Sequence, residues 1–195
     1  MRKLLLTCFV VFLCFEAFSQ ESIEWTPEYE VTLEDFKSKG TKIDPSLSSY
    51  YLGAGIKMDF NYAMSNYEYM FTKNFNSKVT VVFQPTASTI KAPNLEMANN
   101  MVAMADFQFD LAELYARKFR KKIYDEKEAF SDPNKLGAFF ESVNKDWNDR
   151  STQSMEEADL GMNREALDRM HKEVLLELEQ YPDFCKECKP VKKKK

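Results

Sequence analysis

Histidine occurs once in the 195 residues, at His171, so no group of imidazoles is available to hold a metal ion. The same scarcity removes the usual proton acceptor of a nucleophilic serine or cysteine. His171 stands beside no nucleophile motif, which argues against Ser/His/Asp and Cys/His chemistry and leaves an ordinary surface or flanking histidine as its simplest reading. Glycine is also sparse, with five in the chain, against the many Gly-rich turns of an all-β barrel. Basic charge is not in excess: 27 Lys and Arg face 31 Asp and Glu, for a net charge of -4. No basic stripe invites nucleic acid.

Long apolar runs are missing except at the start, where Arg2 and Lys3 precede the stretch from Leu4 to Phe15 and the small-x-small pattern Ala17-Phe18-Ser19. This is the layout of a secretory signal peptide over residues 1–19, cleaved after Ser19, and the apolar stretch is too short for a membrane span. Cys8 and Cys14 lie inside the apolar core, so no lipobox is evident. The chain is therefore expected to be secreted or periplasmic, with no transmembrane segment after cleavage. That leaves Cys185-Lys-Glu-Cys188, whose simplest reading in an oxidising compartment is a local disulfide. A thioredoxin-like redox pair would open a helix within a βαβ unit, whereas this pair follows Pro182. A zinc knuckle would need two more ligands nearby. Residues 183–195 read as a Cys- and Lys-rich tail, with Lys192 to Lys195 solubilising or touching an anionic surface.

Sixteen Phe, nine Tyr and ten Met supply ample apolar volume for one domain, spanning residues 20–182. Ile23 to Trp25 reads as extended, and Thr32 to Phe36 as a helix start. A polar connection with Gly40, Pro45 and Ser46, Ser48 and Ser49 follows. Residues 50–64 and 77–85 carry the β-branched and aromatic residues of strands. The residues between them read as a strand or hairpin arm. The aromatic-rich segment with Tyr62, Tyr67, Tyr69 and Phe71 suits a sheet face packed in the core, with a protein- or glycan-binding surface as the alternative. From Pro93 the period becomes helical. Met101, Met104, Ala105, Gln108, Phe109, Ala112, Tyr115, Ala116, Phe119 and Ile123 share a broad face, and Asp106, Asp110, Glu113, Arg117, Arg120 and Lys121 form a polar stripe. Asp132-Pro133 opens a second helix through Leu136, Phe139, Phe140, Val143 and Trp147, and a third runs from Asn163 to Leu178 before Tyr181-Pro182. Strands followed by helices predict an α+β fold: a mostly β N-terminal half packed by a long central helix and C-terminal helices.

The stretch Phe109-Asp110-Leu111-Ala112-Glu113-Leu114-Tyr115-Ala116-Arg117 resembles the central helix of a bacterial family of unknown function described as predicted secreted zinc-dependent proteases, whose helix reads H-E-Q-x-H-F-D-I-x-E-x-x-A-R. Three other segments resemble the family in the same order. "IEWTPEYEVTLEDF" is similar to an I-x-W opening followed by L-T-W-x-D-F, with Glu34 in place of Trp. "VVFQPTAST" is similar to F-x-P-x-x-S-W, with Thr89 in place of Trp, and "EEADLGMNREALDRM" to E-T-x-H-G-x-N-x-x-x-Q-x-x-W. The likeness spans most of residues 23–180 and implies a zincin-like fold.

In such a family two His at i and i+4 would bind one zinc ion, and the Glu between them would act as general base toward zinc-bound water. Position by position, this chain has Met104 for the first His, Ala105 for the Glu, Gln108 for the second His and Leu160 for the third. None supplies the needed donor or base. The resemblance therefore implies a catalytically inactive protease-like protein, binding or structural, with no catalytic residue, no metal and no cofactor, whose partner is a protein or another cell-envelope component. The alternative is a hydrolase with a rearranged site free of His. Asp106 and Asp110, an i, i+4 carboxylate pair suited to a hard cation such as Ca²⁺ or Mg²⁺, and the acidic loop Glu156, Glu157 and Asp159 are its candidates. A solvated polar stripe and a solvated loop are the simpler expectation for both.

Overall fold

The computed structural model describes residues 22–61, 65–72, 74–126 and 134–190. The expected signal peptide, Tyr62, the Asp132-Pro133 helix start and the run Lys192 to Lys195 lie outside the described residues.

The chain is α+β, with two three-stranded sheets and a long central helix among the described residues. The first sheet is ordered β1 (Ile23–Glu24), β5 (Val79–Phe83), β4 (Ile56–Phe60), both pairings antiparallel. In β5 the residues Val79, Val81 and Phe83 are buried and alternate with half-buried Thr80 and Val82, the period-two pattern of a strand facing a core. The second sheet centres on β6 (Thr89–Ala92), parallel to β2 (Lys42–Ile43) and antiparallel to β3 (Tyr51–Gly53). The expected strand region 50–64 therefore divides: β3 and β4 belong to different sheets, and the chain crosses between them at Ala54-Gly55. Gly55 permits this crossing, because a Cβ there would stand 2.8 Å from the carbonyl oxygen of Gln84. Its own carbonyl accepts the Gln84 amide at 2.8 Å and its amide donates to Ser88 Oγ at 2.9 Å. β2 arises within the stretch read as a polar connection.

The segment expected as a strand or hairpin arm is instead helix α1 (Asn66–Phe71). Tyr67 and Phe71, one helical turn apart, stack with ring centroids 4.5 Å apart and are 73% and 62% exposed, so they are not part of a sheet face in the core.

Helix α2 (Leu95–Glu126) runs 32 residues, roughly 48 Å, and touches both sheets and the two later helices. Met101, Met104, Ala105, Gln108, Phe109, Ala112, Ala116, Phe119 and Ile123 are buried as the periodicity predicts. Phe107, Leu111 and Leu114 are buried too, because α4 (Arg164–Leu178) covers the side away from the sheets. In α4, Asn163 caps the first turn by accepting the Ala166 amide at 3.2 Å. Ala166, Leu167, Met170, Val174 and Leu178 form its buried stripe. Helix α3 (Asn134–Glu157) packs against α2, with Phe140 and Phe119 ring centroids 5.3 Å apart, and buries Leu136 and Val143. Beyond α4, Cys185 and Cys188 form a disulfide, as expected for an oxidising compartment. That turn is docked: the carbonyl of Cys188 accepts the side-chain amides of Asn74 and Asn76, each at 2.9 Å. Among the described residues, no helix is long and apolar enough to cross a membrane.

Candidate functional site

Of the four positions aligned with the resembled protease motif, Met104, Ala105 and Gln108 lie in packed interior and Leu160 at its edge. Met104 and Ala105 have no exposed surface, enclosed where α2 meets its neighbouring helices. Gln108 is buried and engaged from both ends: its Nε2 donates to the carbonyl of Ser151 at 3.3 Å, and its Oε1 accepts from the Ser151 hydroxyl. Leu160, half-buried against the core, occupies a turn with Asp159 and Gly161 in which all three residues have positive φ, at 46°, 52° and 101°. Gly161 presses on α2 so closely that a Cβ would meet the Asn100 carbonyl oxygen at 2.2 Å. A thioether, a methyl group, an amide already hydrogen-bonded and an aliphatic chain are no donor set for Zn²⁺, so these residues do not fit the ion that the resemblance implies. Burial of Met104 stabilises the fold instead, by roughly 1.5–3 kcal/mol for a side chain of that size.

Two residues further along α2 the surface is polar. Asp106 and Asp110 project from one side of the helix at i, i+4, and His171 reaches them from α4, so that one ligand-capable atom from each lies within 4.8 Å of the other two. His171 Nε2 is 2.7 Å from Asp110 Oδ2. The other Asp110 oxygen accepts the indole N–H of Trp25 at 2.7 Å, and Asp106 Oδ1 accepts the backbone amide of Val31 at 2.9 Å. The N-terminal segment thus orients both carboxylates. The His171 ring packs edge-on against Phe107, centroids 5.8 Å apart, which fixes its plane. All three groups are half-buried.

Local electrostatics follow from this enclosure. The Asp106 carboxyl is held above the ordinary carboxylate range mainly by burial, opposed by the Val31 amide and reinforced by the neighbouring charges of Asp110 and Glu30. His171 is pushed up chiefly by its hydrogen bond with Asp110, against burial, with further help from Asp106 and Asp168. Among the described residues no Lys or Arg forms an ion pair with Asp106 or Asp110.

The expected solvated stripe is therefore not one. Asp106 and Asp110 are enclosed and hydrogen-bonded, and further along it Glu113 and Arg120 are 2% and 1% exposed. The loop of Glu156, Glu157 and Asp159 does not join the cluster: Glu157 pairs with Arg169, and Asp159 accepts the Tyr50 hydroxyl at 2.7 Å. His171 lies at the flank of α4, half-buried as a flanking histidine can be, but it is held by Asp110 and is not simply at the surface. A signal for it was present, since Leu167, His171, Val174 and Leu178 follow the i, i+4, i+7 rhythm of the inward face of α4.

Trp25 joins this cluster to a neighbouring cleft of about 460 Å³ lined by its ring, Pro27, Val81, Arg117, Pro182 and the disulfide. The guanidinium of Arg117 lies over the Trp25 ring, 5.3 Å from its centroid. Comparison with protein-family models, with curated proteins and with solved structures returns no match.

Proposed function

We propose that this chain is an exported, catalytically inactive member of the zinc-dependent protease family it resembles, with a zincin-like fold turned to binding or structural use at the cell envelope. The observation that carries this reading is the burial of Met104 and Ala105 together with the tie between Gln108 and Ser151. A peptidase site must admit substrate and water to its metal and its base, and these positions admit neither. The Cys185–Cys188 disulfide supports export to an oxidising compartment.

The test is peptide hydrolysis by the mature chain, residues 20–195, with and without added Zn²⁺. No hydrolysis above the protein-free rate is expected under either condition. Chelator-sensitive hydrolysis that co-purifies with the chain would overturn the reading. A second reading, a hydrolase with a rearranged site, departs from the His-free site expected from the sequence by including His171, and it rests on the proximity of Asp106, Asp110 and His171. It requires hydrolysis that disappears in an Asp106→Asn, Asp110→Asn double variant.

A further inference from the structure

We propose that Asp106, Asp110 and His171 together bind one divalent transition-metal ion, with Zn²⁺ the best match. The three side chains come from two helices brought together by the fold, and their ligand-capable atoms lie within 4.8 Å of one another. Two carboxylate oxygens and one imidazole nitrogen form a donor set typical of Zn²⁺, whereas the imidazole disfavours Ca²⁺ and Mg²⁺.

The geometry needs only side-chain adjustment. Ligands about 2.1 Å from a tetrahedral ion stand about 3.4 Å apart. The present 2.7 Å contact between His171 and Asp110 must open slightly, and the other separations, none above 4.8 Å, must close by about 1.4 Å at most, movements within the reach of side-chain rotations. What surrounds the trio keeps it ready for an ion. The Trp25 indole and the Val31 amide each hold one oxygen of a carboxylate, as outer groups do around metal ligands. The incomplete burial of His171 and Asp110, 25% and 19% exposed at their side chains, leaves a path for the ion and a coordination position for water.

Charge supplies the independent argument. Two carboxylates face a single imidazole, no Lys or Arg among the described residues pairs with either, and Glu30 and Asp168 add further negative potential from the flanks. A dication would neutralise a half-buried pair of like charges that the single imidazole of His171 offsets only in part. This inference does not rest on the inactive-protease reading, because the ion would sit on residues other than Met104, Ala105, Gln108 and Leu160 and need not support hydrolysis.

The experiment is Zn²⁺ titration of the tag-free mature chain by calorimetry, repeated with Co²⁺ to read the ligand field in visible absorption, alongside Asp110→Asn and His171→Gln variants. The expected result is one ion per chain, a Co²⁺ spectrum of low coordination number, and at least tenfold weaker binding in each variant. Circular dichroism establishes that the variants are folded; should Asp110→Asn unfold, His171→Gln, which keeps a hydrogen bond to Asp110 within reach, decides alone. Absence of saturable binding, or binding unchanged in folded His171→Gln, overturns the proposal. Peptide hydrolysis, in contrast, bears only on the inactive-protease reading.

Discussion

Glu113 and Arg120, seven residues apart on α2, form a fully enclosed ion pair, with Oε1 and Nη1 2.7 Å apart. Arg120 also donates to the carbonyls of Val79, at 2.8 Å, and Phe184, at 2.9 Å, so one guanidinium fastens the central helix to β5 and to the turn before the disulfide. Arg117 shares the same Glu113 oxygen at 3.0 Å. Removing the carboxylate would leave two guanidinium groups facing each other with no counter-charge. Glu113→Ala is therefore expected to lower stability by about 3–5 kcal/mol, measured by urea denaturation. A loss below about 1 kcal/mol would mean that the pair is solvated.

This pair also marks where sequence reasoning stops. Spacing placed Glu113 and Arg120 on the polar side of α2, correctly as to direction, and a polar side ordinarily meets solvent. Here it meets the N-terminal segment around Trp25 and the turn at Phe184, segments far away in sequence that periodicity within α2 cannot foresee. The same limit hid the pairing of His171 with Asp110, 61 residues apart, although each residue alone lay on a readable helix. Helices α2 and α4 were legible because burial repeats along them with the helical period. Helix α1 is hidden from the sequence because Tyr67, Tyr69 and Phe71 carry β propensity, whereas in the fold the rings of Tyr67 and Phe71 meet one helical turn apart. The two-residue strands β1 and β2 exist only through pairing with β5 and β6, so little of them is encoded locally.

Placing at position 105 the acidic residue of the motif that α2 resembles should break the fold. Ala105 is completely buried, and a Glu side chain there would bring a carboxyl group into a closed seam whose polar pair, Gln108 and Ser151, is already engaged. Ala105→Glu is expected to cost more than about 3 kcal/mol, whereas Met104→Leu, which nearly conserves volume, should cost under about 1.5 kcal/mol. Thermal unfolding followed by circular dichroism separates the two. An Ala105→Glu chain as stable as the parent would show that the seam opens to water, which would reopen the case for a site there.

The turn at Asp159, Leu160 and Gly161 gives a backbone prediction. Gly161 holds φ at 101° and has no space for a Cβ beside the Asn100 carbonyl oxygen. Gly161→Ala therefore combines torsional strain with a clash against backbone that can yield only if α2 shifts, for a loss of about 3 kcal/mol. Leu160→Gly, by relieving a left-handed non-glycine residue at the cost of some burial, should change stability far less. Equal losses in the two variants, measured by chemical denaturation, would show that close packing at Gly161 does not matter.

A pH dependence follows from Glu177 on α4. Its carboxylate receives Arg150 at 2.8 Å and Lys118 at 2.7 Å, joining α4 to α3 and α2. Burial works to raise its pKa, but the hydrogen bonds from Arg150 and Lys118 and their charges outweigh it, and the carboxyl is held below its ordinary value of 4.5. A group whose folded pKa is depressed contributes stability that is present above the unfolded value and disappears as pH falls through the folded one. The contribution should thus be whole at neutral pH and vanish progressively below about pH 4.5, on the scale of about 0.2–1 kcal/mol usual for a partly exposed ion pair. In Glu177→Gln the neutral-pH stability should drop by that amount, and the gap from the parent should close as the pH approaches 3. A gap that stays constant between pH 7 and pH 3 would assign Glu177 a packing role in place of an electrostatic one.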